Sequence, residues 1–148
     1  MKALLQKHLK NQKGLTLIEL LAVVVILGII AAIAIPSIGA IMENTRKDAH
    51  IANAEQLVAA AKTAEATSLT SATPGTYTLA ELVAAGFIDE PTVPGKGGEY
   101  GTGSVVITKG TGSAKIYTVT LGTYIASKNL DDLRDKGNGK GRELVTMN

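Results

Sequence analysis

One stretch restricts this chain more than any other: Lys13 to Pro36, KGLTLIELLAVVVILGIIAAIAIP. No charged side chain occurs from Leu20 to Met42. A bilayer core of about 30 Å is crossed by about 20 such residues as a helix, so the segment is long enough to span a membrane. The residues before it are short and basic, with Lys2, Lys7, Lys10 and Lys13 and no acid. The positive-inside rule keeps that end in the cytoplasm and sends everything after Met42 outward.

Glu19 stands inside the apolar run. A carboxylate within a spanning helix costs about 3 kcal/mol or more and usually has a partner or a task. One reading puts it near the interface, within reach of headgroups. Another begins at Gly14. A cut after Gly14 leaves Leu15 with a free α-amine, cationic at neutral pH, one helical turn from Glu19 on the same face. The two can pair within one chain. Alternatively the amine of one copy neutralises Glu19 of the next, where an unpaired charge is expensive, and so sets an axial register.

These residues resemble a family. K-G-L-T-L-I-E-L-L, the apolar run and Pro36 look like the class III signal of type IV pilins and of the related pseudopilins of type II secretion and DNA-uptake (competence) machines. The resemblance covers roughly residues 13–40. It implies that prepilin peptidase cleaves after Gly14 and N-methylates Leu15. It also implies that Glu19 is the assembly glutamate and Pro36 the helix-kinking proline. One departure is Leu15, where phenylalanine is commoner; other apolar residues are accepted there.

Pro36 lacks an N–H, so the carbonyl of Ala32 loses its helical partner and a kink or local loosening is expected. From Glu43 to about Thr67 the pattern remains helical but turns amphipathic. Ile51, Ala54, Val58 and Ala61 form a stripe at i, i+3, i+7 and i+10. Arg46, Lys47, Asp48, Glu55 and Lys62 lie mostly off it, with Glu43 and Lys47 as an i,i+4 pair. The two halves together predict one helix of about 50 residues, about 75 Å at 1.5 Å per residue.

Thr67–Thr76 reads as a loop. Thr78 to Gly86 reads as a short helix, with Thr78 and Glu81 as capping box and Gly86 closing it. Pro91–Gly103 is Pro/Gly-rich loop. Ser104–Lys109 and Lys115–Tyr124 are β-branched runs joined as a hairpin through Gly110–Ser113. In the second run Tyr117, Val119 and Leu121 share one face, the natural partner for the helical stripe. Leu130–Leu133 suggests a helical turn, Lys136–Gly141 a flexible loop, and Arg142–Thr146 a third, short strand.

The expected fold class is α+β: a long N-terminal helix, membrane-spanning in its first half, packed on a small antiparallel sheet, pilin-like. Three parts are expected. Residues 1–14 are a cleaved leader, 15–42 the transmembrane and assembly half of the helix, and 43–148 an extracytoplasmic globular head.

The chain has 148 residues, no cysteine and a formal charge of +2. The leader holds four lysines and no acid, so its removal leaves 11 basic against 13 acidic side chains, or −2. A strong nucleic-acid binder keeps a basic surface, and this basicity belongs to the discarded piece. Without cysteine no disulfide staples the exported part. Many Gram-negative pilins carry a C-terminal disulfide loop, so among its look-alikes the chain leans to a Gram-positive source or a pseudopilin.

No catalytic set is evident. His8 lies in the leader, and His50 reads as a lone, solvated residue on an exposed helix. There is no P-loop, metal-spaced cluster or Ser–His–acid arrangement. Asp131, Asp132, Asp135 and Asn138 offer oxygen ligands suited to Ca²⁺, but the spacing is not that of an EF-hand loop. Major pseudopilins bind calcium in a C-terminal loop, yet their ligands do not align here. The set reads as a solvated acidic turn, and no metal or cofactor is expected.

The function the resemblance implies is structural: a filament subunit, polymerised with itself through its N-terminal helix. Its implied partners are prepilin peptidase, an assembly platform with its ATPase, and the membrane before assembly. Nucleic acid would join them only if the filament takes up DNA. The implied location is the cell membrane, then an extracellular pilus or a periplasmic or cell-wall pseudopilus. The rival reading is an uncleaved, single-pass anchor carrying an extracellular binding domain.

Overall fold

The computed structural model describes residues 2–135 and 140–147, with side chains from Thr16 onward. The chain divides into two compact units, Met1–Met42 and Glu43–Asn148. Helix α1 (Lys2–Ala66) supplies the first unit and opens the second.

In the first unit the helix is aliphatic on every side. Leu17 is 70% and Ile33 69% exposed, and no part of the most apolar 18-residue window is buried within the protein. Such a surface is unfavourable in water and suits hydrocarbon, where a helix satisfies its own backbone groups. Helical structure continues on both sides of Pro36. Next to it, the Ser37 hydroxyl donates to the Ile33 carbonyl at 3.0 Å.

The second unit, the head, is built on residues 43–66 of α1. Ile51, Ala54, Val58 and Ala61 are buried as the stripe requires, joined by Leu57, Ala60 and Ala64. The remaining elements are β1 (Thr76–Thr78), α2 (Leu79–Ala84), β2 (Gly103–Lys109), β3 (Lys115–Leu121), β4 (Ile125–Asn129), α3 (Leu130–Arg134) and α4 (Lys140–Glu143). The strands form an antiparallel meander in the order β1-β2-β3-β4. Val105, Val119, Leu121 and Ile125 enter the same core as the helical stripe. The architecture is therefore the α+β, pilin-like one expected.

Local chemistry explains several boundaries. The β2–β3 hairpin pairs Lys109 with Lys115 and closes through Gly110 N–H to the Ala114 carbonyl at 2.8 Å. Thr78 caps α2: its hydroxyl accepts from Glu81 N–H, while the Glu81 carboxylate accepts from Thr78 N–H at 2.8 Å. At the other end Gly86 adopts φ +75. Phe87 N–H then reaches the Leu82 carbonyl and Gly86 N–H the Val83 carbonyl, the paired closure that a left-handed residue permits. Ala85 holds the cap position itself, one residue before the glycine.

Three sequence expectations change. β3 ends at Leu121 rather than Tyr124, because the chain turns at Gly122 (φ +53) and enters β4. Thr76, read as the last residue of a loop, instead opens strand β1, which runs to the cap residue Thr78. Arg142–Thr146 is not a strand. Arg142 lies in α4 and grips Asp48 through two hydrogen bonds, at 2.7 and 2.6 Å. Val145 N–H turns back to the Arg142 carbonyl, and Thr146 N–H meets Tyr124 just ahead of β4. The turn takes the Val145 N–H and the Arg142 carbonyl, backbone groups that a strand ladder would have used. The predicted loop at 136–141 lies largely outside the described residues.

Candidate functional site: the N-terminal segment

Gly14 and Leu15 lie in α1, where the structure describes their helical backbone and not the Leu15 side chain. Glu19 is exposed on α1, and among the described residues no ion pair engages it. Pro36 is 17 positions further along the same helix, about 25 Å by helical rise. The two are therefore not brought together; any joint role is exercised along the helix. What the arrangement offers chemically is one carboxylate on an otherwise uncharged apolar rod. In hydrocarbon such a carboxylate is costly without a partner.

The acidic turn is only partly described, since Asn138 lies outside. Asp131 N–H donates to the Asn129 side chain, which caps α3. Asp132, Asp135 and Glu143 line a shallow hollow together with Lys140. Among the described residues no group of three or more His, Cys, Asp or Glu is placed to hold a metal. A groove of about 680 Å³ runs between α2 and the sheet, lined by Leu79, Val83, Thr102 and Ser104, with Glu90 as its titratable member. No histidine, lysine or second acid stands beside that carboxylate in the groove's lining.

His50 is a correction. It is 0% exposed rather than solvated. Its ring stacks on Tyr124 with centroids 4.3 Å apart and meets Tyr100 edge-on at 5.6 Å. Its Nδ1 is 2.7 Å from the Tyr100 hydroxyl. The signal was present in the spacing: residues 50, 54, 57, 61 and 64 step by four and three along α1, and all are buried. His50 opens the apolar stripe that a reading by residue type left to begin at Ile51.

Comparison with known families gives one match: the prokaryotic N-terminal methylation motif, over residues 9–35. It contains Gly14, Leu15 and Glu19 and stops one residue before Pro36. Comparison of the chain with curated proteins and with solved structures finds no match. On an α+β, pilin-like architecture, the chain thus carries the class III signal of type IV pilins and pseudopilins.

Proposed function

We propose that this protein is a structural subunit of a type IV pilus or pseudopilus. It is held in the membrane by residues 15–42, cut after Gly14 by prepilin peptidase and methylated on the amine of Leu15. The methylated amine remains a cation and pairs with Glu19 of a neighbouring copy, while the apolar helices exchange lipid for one another. Partner proteins, an assembly platform and its ATPase, supply the work of extension. The head remains outside the membrane and decorates the filament.

The observation that carries this reading is a coincidence in one segment. The methylation motif falls on the N-terminal half of α1, whose most apolar 18-residue window has no part buried within the protein and which holds one carboxylate, Glu19, between Leu15 and Met42. The family bearing this motif is structural rather than enzymatic.

Glu19→Gln tests the pairing. It keeps size and shape while removing the charge. Stranding one member of a buried ion pair costs about 3–5 kcal/mol, a factor of more than about 100 in association. Cleavage at Gly14 is expected to proceed normally, while incorporation into filaments collapses. Normal filament yield from Glu19→Gln contradicts the mechanism.

A further inference from the structure

Among the described residues His50 is the buried side chain that ionises nearest neutral pH, and the N-terminal segment does not use it. Its Nε2 is buried with no hydrogen-bond partner. A chain of donors converges on the other nitrogen. Asn53 Nδ2 donates to the Tyr100 oxygen at 3.0 Å and to the Thr92 carbonyl at 3.1 Å, and Tyr100 lies 2.7 Å from His50 Nδ1. A neutral imidazole protonated on Nε2 satisfies this order: Asn53 gives to Tyr100, and Tyr100 gives its hydrogen to Nδ1. A second proton, on Nδ1, faces the hydroxyl it formerly accepted from.

Among the described residues, the rest of the enclosure brings no opposite charge into hydrogen-bond contact with that proton. Tyr100 comes from the segment before β2, and Tyr124 from the β3–β4 turn, whose carbonyl is tied to Thr146 N–H at 2.8 Å. The charged groups on the packed elements are engaged elsewhere or exposed. On α1, Lys47 pairs with Glu43, and Asp48 with Arg142 of α4. Arg46 lies against Gly95, while Lys96 and Glu99 of the same segment face solvent. No carboxylate is hydrogen-bonded to the imidazole. The π face of Tyr124 compensates a cation in part, less than enclosing an unpaired charge costs.

We propose that His50 is an acid-released latch of the head: neutral, it holds the Tyr100 segment and the Tyr124 turn against α1; protonated, it lets them go. The sign follows from burial, which holds the imidazole below the ordinary histidine range. The unfolded chain then takes up the proton more readily than the folded head. The latch is fully closed above about pH 6.5, the unfolded value, and weakens as pH falls below it.

The test is an NMR titration of the full chain in detergent micelles, from about pH 8 to about pH 4.5, with His8→Gln so that His50 gives the one imidazole signal. Near-UV circular dichroism of the tyrosines is followed in parallel. The expected result is a His50 signal that stays neutral well below the ordinary histidine range, then changes together with loss of the tyrosine signal. In wild type the melting temperature falls by several degrees on acidification; in His50→Gln that fall disappears. A His50 that titrates at or above about pH 6.5, or a tyrosine signal indifferent to its titration, overturns the proposal. The titration leaves position 50 untouched, so it decides the matter even if His50→Gln does not fold.

Discussion

Two glycines constrain the head in different ways. Gly86 has φ +75 and open space where a Cβ would be, so Gly86→Ala meets only the conformational penalty of a left-handed residue, about 1–2 kcal/mol. Gly141 carries no such torsion, but a Cβ there would collide with the Leu133 carbonyl. Gly141→Ala must therefore move backbone between α3 and α4, and a loss of about 1–3 kcal/mol is expected. Urea melts of the two variants separate the effects. Gly86→Ala should leave the backbone amide shifts of α3 unchanged, whereas Gly141→Ala should move them. The first glycine was legible, because a capping box, a short apolar run and a closing Gly are all local signals. The second was not, because its neighbour is a carbonyl eight residues away that only the fold brings near. His50 failed for another reason: residue type was allowed to outvote position on a stripe.

Among elements, the head-side half of α1 organises the core. Leu57 is 0% exposed at the centre of its stripe, so Leu57→Ala is expected to cost about 2–5 kcal/mol. Glu55 pairs with Arg134 at 2.9 Å on the surface, where such pairs contribute little. A Glu55→Gln variant melting within a degree or two of wild type, beside a Leu57→Ala variant melting far lower, would establish that packing rather than surface charge fixes the helix on the sheet. Equal losses would contradict this. The helix, the hairpin and α2 were readable from periodicity and turn chemistry. Strands β1 and β4 were not. β1 has three residues, and β4 reads Ile-Ala-Ser-Lys-Asn with Ser127 at φ 50. The first is too short for its alternation to register and the second does not alternate; both pair with a neighbouring strand.

At the scale of the whole molecule, acid acts on the head in two windows. The first belongs to His50 and opens below about pH 6.5. The second belongs to Glu81, whose carboxyl is held below the usual range by Thr78 N–H, then Ala72 N–H, then the Thr78 hydroxyl. A depressed carboxyl contributes stability above its unfolded value and loses it as pH falls further, so this window opens below about pH 4.5. Glu81→Gln should flatten the lower limb of a stability–pH curve and leave the upper one; a single limb abolished by either substitution would contradict the separation. The N-terminal segment was legible almost entirely from sequence, because its demands are simple: a basic leader, a glycine, an uncharged run and one acid. The assembly proposed for it lies between copies, and a single chain shows the exposed apolar surface and the carboxylate on which that proposal rests.

Everything proposed for assembly requires a new terminus at Leu15. The decisive observation is the mass and N-terminal sequence of the protein recovered from cells. Leu15 as first residue, carrying one added methyl group on its amine, is the predicted result. A chain that still begins at Met1, with Lys13 and Gly14 joined to Leu15, would contradict it and leave a membrane-tethered domain with no means of neutralising Glu19 from its own terminus.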